Sequence, residues 1–140
     1  MIVVDTNVTS ELMRPSPSPA VAAWVRAHSP AELYATSITL AEIGYGIERL
    51  PNGRRKALLR TAAADVFTVF AKHLLAFDAT AAAQYAGIVT HRERAGAPID
   101  GFDAQIAAIC RAHGAAVATR NGTDFRETGI AVIDPWHDPA

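Results

Sequence analysis

Five short apolar runs along the chain predict the strands of a β-sheet. The first, Ile2–Val4, does not alternate with polar residues, which is typical of a strand that is buried on both faces. It ends at Asp5. The other four runs cover residues 33–37, 74–77, 115–119 and 131–133.

Amphipathic stretches separate these runs and predict helices. After Ser18-Pro19, a cap residue followed by proline, apolar and aromatic residues recur at helical spacing from Val21 to His28. Further helices are predicted over residues 39–50, 54–72, 79–95 and 101–113, with glycine or proline at their ends. Because strands alternate with helices, we expect a three-layer α/β/α domain with a mainly parallel five-stranded sheet flanked by helices.

Composition narrows the class of protein. Residues 1–140 are enough for a single domain, and a chain that is 50% apolar and 19% charged excludes a disordered tail. The net charge of −1 excludes a polycation, and the lone Cys110 excludes a disulfide scaffold. The chain shows no apolar segment long enough for a membrane and no secretion signal, so we expect a soluble, cytoplasmic protein.

Four acidic residues lie at or just beyond the predicted carboxyl ends of strands, where open parallel sheets place their functional sites. They are Asp5, Glu42, Asp103 and Asp124. The last three also fit a structural role, because acids are favoured as caps and in the first turn of a helix. Asp5 fits this role less well, since a carboxylate at the end of a buried strand is costly unless it has a partner. Asp100 is either a cap or a carboxylate at the rim of the same site.

Clustered carboxylates repel one another and raise one another's pKa, and a hard divalent cation such as Mg²⁺ or Mn²⁺ removes that conflict. The chain has no H-E-x-x-H motif, no paired Cys/His ligands and no phosphate-binding glycine loop, which argues against zinc hydrolysis and nucleotide chemistry. A phosphotransferase with an aspartate nucleophile needs a second aspartate two residues after the first. In this chain Asn7 occupies that position, which argues against such an enzyme.

Four motifs and a common ending occur in order along the chain. They are Val3-Val4-Asp5-Thr6-Asn7, Ser37-Ile38-Thr39-Leu40-Ala41-Glu42 with Gly46, Pro98-Ile99 with Asp103-Ala104-Gln105-Ile106-Ala107-Ala108, Thr119-Arg120-Asn121-Gly122-Thr123-Asp124-Phe125, and Asp134-Pro135-Trp136. These segments resemble those of PIN-domain proteins, and the resemblance runs from residue 2 to residue 136. The similarity is greatest to VapC toxins of type II toxin–antitoxin systems, especially the FitB-like branch.

The resemblance implies a Mg²⁺- or Mn²⁺-dependent endoribonuclease that hydrolyses RNA and is inhibited by a cognate VapB-like antitoxin. Asp5 and Asp103 would ligate the metal directly, and Glu42 and Asp124 through water or a second metal. Thr6 and Asn7 match positions that orient the first carboxylate. The family also implies a homodimer and a toxin–antitoxin hetero-oligomer. A non-catalytic PIN-like module that binds RNA or protein is the alternative.

Basic residues near the predicted third helix are candidates for RNA contact. Arg54, Arg55 and Lys56 would neutralise phosphates, or would simply form the charged outer face of a helix. Arg120, beside the fourth motif, is a better candidate for a phosphate, although it would equally pair with a core acid.

Overall fold

The five predicted strands form one parallel sheet. In the computed structural model, which describes residues Met1–Asp138, every strand lies inside its predicted range. The strands are β1 (Ile2–Val4), β2 (Leu33–Thr36), β3 (Leu74–Leu75), β4 (Ala116–Ala118) and β5 (Val132–Ile133). Their order across the sheet is β3-β2-β1-β4-β5. The predicted fold class is therefore confirmed.

Six α-helices connect and cover the strands. They are α1 (Thr6–Leu12), α2 (Pro19–Arg26), α3 (Ser37–Glu48), α4 (Arg54–Val69), α5 (Ala79–Arg94) and α6 (Gly101–His113). The sequence pattern missed α1, a helix of seven residues rich in polar and β-branched side chains, which have low helix propensity. It forms because Asp5 caps it: the Asp5 carbonyl accepts hydrogen bonds of 3.1 Å from the N–H groups of Val8 and Thr9.

Helix α3 begins two residues earlier than predicted. Its N-cap is Thr36, whose hydroxyl accepts a hydrogen bond of 3.1 Å from the N–H of Thr39. Glu42 therefore lies in the second turn, and its interpretation as a cap or first-turn acid is wrong. Because it caps nothing, the Glu42 carboxylate needs another explanation.

Helices pack on both faces of the sheet, and neighbouring residues of β1 alternate between the two cores. Val3 packs in a cluster with Ile106 and Cys110 of α6, whereas Val4 packs in a cluster with Trp24 of α2. All five of these residues are fully buried. Apart from Cys110, each has a large or branched side chain. The fold is thus a sandwich of three layers.

The direction of the chain across the sheet reverses at β1. From β1 the chain moves outward through β2 and β3, and it then returns to place β4 and β5 on the other side. In open parallel sheets a ligand binds at such a switch point, beyond the carboxyl ends of the strands. Asp5 lies at this point, and its N–H donates to the carbonyl of Ala118 at 2.9 Å.

Within Met1–Asp138, no helix is both long and apolar enough to cross a membrane.

Candidate metal-binding active site

The four acids singled out from the sequence line one cleft at the carboxyl edge of the sheet. The cleft has a volume of about 740 Å³. Asp5 follows β1, Glu42 comes from α3, Asp103 from the first turn of α6, and Asp124 from a 3₁₀ turn after β4. Four separate segments of the chain therefore bring these four carboxylates to the same space.

A network of hydrogen bonds holds the buried Asp5 carboxylate. The Thr119 hydroxyl donates to Asp5 Oδ2 at 2.8 Å, and the Thr6 N–H donates to Asp5 Oδ1 at 2.8 Å. Asn7 Nδ2 lies 3.5 Å from Asp5 Oδ2 and donates to the Thr119 hydroxyl at 3.1 Å. Burial nevertheless raises the pKa of Asp5, and the nearby charge of Asp124 adds to the rise.

Glu42 is held from the neighbouring helix. The Thr6 hydroxyl donates to Glu42 Oε1 at 2.8 Å and lies 2.9 Å from the hydroxyl of Thr39. Thr6 thus contacts the first acid through its backbone and the second acid through its side chain. Burial raises the pKa of Glu42, and the charges of Asp5 and Asp100 raise it further.

Asp103 has the most perturbed carboxylate of the cleft. Partial burial and then the negative charges of Asp5, Asp124, Asp100 and Glu42 raise its pKa from 3.8 to about 7. Asp103 is therefore near enough to the other three acids to be repelled by each of them. Asp100 is the N-cap of α6, since its Oδ1 accepts from the N–H of Phe102 at 2.9 Å, and it also lies on the rim of the cleft.

Asp124 is exposed in the cleft, on a turn that is fastened to the rest of the domain by Arg92. The buried Arg92 guanidinium donates to the carbonyl oxygens of Asp124 and Arg126 at 2.8 and 3.0 Å. It also donates through Nε to the carbonyl of Ala97, at 2.6 Å. One side chain of α5 therefore ties the turn that bears the fourth acid to the segment that precedes α6.

The donor set of the cleft fits a hard divalent cation, because every candidate ligand is a carboxylate oxygen and the acids repel one another without a counter-charge. Within the described residues, no three Asp, Glu, His or Cys side chains stand close enough to hold one ion together. With the side chains as they stand, at most two acids lie close enough to ligate one ion directly.

The basic residues predicted to contact RNA differ in their surroundings. Arg120 lines the cleft, and its guanidinium lies 4.9 Å from the centre of the Trp136 ring. Arg54 and Arg55 are exposed at the start of α4. Lys56 is buried, and its ammonium donates to the Glu48 carbonyl at 2.9 Å, so we leave it out of the RNA-binding surface.

Sequence reasoning missed three residues that position the acids. Thr119 lies directly after β4 and holds Asp5, Thr39 contacts Thr6, and Arg92 holds the turn of Asp124. A hydroxyl or guanidinium at such positions gives no periodic signal. Thr39 and Thr119 do belong to the second and fourth motifs, and Thr119 ends a predicted strand.

Comparisons with known proteins agree with this fold. The PIN domain family matches residues 2–131. The VapC ribonuclease Y4jK of Sinorhizobium fredii is 38% identical over 100% of both chains, and the toxin FitB of Neisseria gonorrhoeae is 38% identical over 99% of this chain and 100% of its own. The structure of FitAB bound to an IR36 DNA fragment matches with a TM-score of 0.90 and 37% identity, covering 100% of this chain and 99% of that one. The chain belongs to the PIN-domain family.

Proposed function

We propose that this protein is the toxin of a type II toxin–antitoxin system and acts as a divalent-metal-dependent endoribonuclease. The observation that carries the proposal is the convergence of Asp5, Glu42, Asp103 and Asp124 on one cleft. The similarity to a VapC ribonuclease and to the toxin FitB, over nearly the full length of each, supports the ribonuclease and toxin parts of the proposal.

Asp5 and Asp103 would ligate Mg²⁺ or Mn²⁺ directly, and Glu42 and Asp124 would act through water or a second ion. When bound, such a cation lowers the pKa of water and offsets negative charge on the phosphodiester. Direct ligation by only two acids is supported by their spacing, because no three acids of the described chain are close enough to share one ion directly.

The remaining residues of the cleft would orient these groups and the RNA. Thr119 and Asn7 fix the Asp5 carboxylate, and Thr6 fixes that of Glu42, so that neither acid has to be ordered when the substrate arrives. Arg120 would bind a phosphate at the cleft, and Arg54 and Arg55 would bind phosphates farther along the RNA.

A cognate VapB-like antitoxin would hold the protein inactive, in a hetero-oligomer built on a toxin homodimer in the cytoplasm. Support for a protein partner comes from the structure of FitAB bound to a DNA fragment, in which one chain matches this protein over its full length.

The experiment that tests the proposed function is cleavage of total RNA by the purified protein, in Mg²⁺, in Mn²⁺ and in EDTA. We expect discrete cuts that require the metal and are absent with Asp5→Asn. Glu93→Gln, which changes an exposed acid of α5 outside the cleft, is the matched control and should cut like the wild type. If the folded wild type makes no cuts with either metal, the non-catalytic binding module becomes the better interpretation.

A further inference from the structure

Phe102 is a large aromatic residue exposed at the lip of the acidic cleft. Its side chain is 51% exposed, and it lines the cleft beside Asp103 in the first turn of α6. Within the described chain, Phe102 belongs to none of the three buried apolar clusters. The ring therefore presents apolar surface at the place where the substrate would bind.

The backbone around Phe102 is ordered while the space beside it is open. The Phe102 N–H donates to Asp100 Oδ1 at 2.9 Å, which fixes the start of the helix. A Cβ atom added to the adjacent Gly101 would meet no other group within 4 Å. The start of the helix next to Phe102 is therefore not crowded by other groups.

The chemistry of the cleft matches two parts of a nucleotide chain, the phosphate and the base. The carboxylates suit a cation that neutralises a phosphodiester, and the Arg120 guanidinium, held over Trp136, suits a phosphate. The remaining large group is the exposed ring of Phe102. Nucleobases stack on such rings, and they do so in single-stranded RNA, because the bases of a duplex are already paired and stacked.

We propose that Phe102 stacks on an unpaired base next to the phosphodiester that is cleaved. This inference rests on the proposed function, since it assigns a substrate contact in the same cleft. Phe102 is a specificity-determining residue in this account. It binds the substrate but takes no part in bond cleavage.

The test uses an unstructured, end-labelled RNA oligonucleotide that the wild type cleaves at one position. Two further oligonucleotides carry an abasic nucleotide immediately before or immediately after that position. Phe102→Ala should raise KM on the intact oligonucleotide about tenfold, the loss typical of one stacked base, with little change in kcat. Phe102→Trp should keep the wild-type KM. Tyr45→Ala removes an exposed aromatic residue of α3 outside the cleft and should change nothing.

The abasic oligonucleotides separate stacking from a structural effect. On one of them the wild type should lose about tenfold in KM, and Phe102→Ala should lose nothing further, because the ring then has no base to contact. A duplex of the intact oligonucleotide with its complement should be a poor substrate for the wild type.

The inference is overturned if Phe102→Ala cleaves the intact oligonucleotide with the wild-type KM. It is also overturned if the variant loses the same factor on the intact and on both abasic oligonucleotides. In either case the wild type still cleaves, so the proposed function stands. If the wild type cleaves no RNA at all, the proposed function fails, and the inference fails with it.

Discussion

Replacing Asp103 by asparagine should stabilise the protein when no metal is bound. The substitution keeps the shape of the side chain and removes a negative charge that is partly buried and is also repelled by the other acids of the cleft. In the wild type the folded state raises the pKa of Asp103 from 3.8 to about 7, so ionised Asp103 costs folding free energy. This cost begins as the pH rises past 3.8 and is complete above about pH 7.

The size of the effect follows from the same pKa. At about 1.4 kcal/mol for each pH unit between the two values, the upper limit is roughly 4 kcal/mol. Water in the open cleft screens much of this, and the variant also loses the favourable charge of an acid in the first turn of α6. We therefore expect a net gain of about 1 kcal/mol, or a rise in Tm of about 3 °C for a domain of this size.

The assay is thermal unfolding in EDTA at about pH 8 and about pH 4.5, the two sides of the window in which Asp103 should titrate. The gain should be present at the higher pH and much smaller at the lower one. Glu93→Gln removes an exposed acid outside the cleft and should leave Tm nearly unchanged at both. An Asp103→Asn variant that is no more stable than the wild type at the higher pH would refute the claim that the acids repel one another.

Three further predictions concern the residues around the acids. Thr119→Val removes the donor to Asp5 and should weaken Mn²⁺ binding about tenfold in a calorimetric titration, whereas Thr119→Ser should restore it; equal affinities would show that the hydroxyl does not position Asp5. Arg92→Leu leaves three carbonyl oxygens without their donor and should lower the free energy of unfolding, measured in urea, by about 2–4 kcal/mol. A loss below about 0.5 kcal/mol would argue that Arg92 does not stabilise the turn of Asp124. Arg120→Ala should weaken RNA binding and reduce the slope of log K against log salt by about 1, while Arg60→Ala, which breaks a 2.7 Å ion pair with Glu48, should not; an unchanged slope for Arg120→Ala would mean that no phosphate lies there.

The sheet was predictable because its strands are buried and their apolar runs are short and bounded. The ends of these buried strands also located the candidate site. An acid that ends a buried strand, such as Asp5, has few structural explanations. Helix α1 was not predictable from periodicity, because it depends on the cap at Asp5 and on packing against α2 and α3 rather than on its own residues.

Side-chain partners that are distant in sequence were beyond the reach of the pattern. Thr119 and Asp5 are 114 positions apart, and their hydrogen bond exists only because β1 and β4 are neighbours in the sheet. For Lys56, the sequence suggested a contact with RNA that the fold does not favour. Lys56 belongs to a basic run in the sequence, but the turn between α3 and α4 brings its ammonium to the Glu48 carbonyl.

The central claim is that four carboxylates from four segments form one site for a divalent cation. The most direct test is a titration of the purified, metal-free protein with Mn²⁺, for the wild type and for Asp5→Asn, Glu42→Gln, Asp103→Asn and Asp124→Asn, with Glu93→Gln as the control. We predict that the wild type and the control bind Mn²⁺ with equal affinity, that all four cleft variants bind it more weakly, and that Asp5→Asn and Asp103→Asn show the largest losses. Wild-type affinity in both Asp5→Asn and Asp103→Asn would contradict the account.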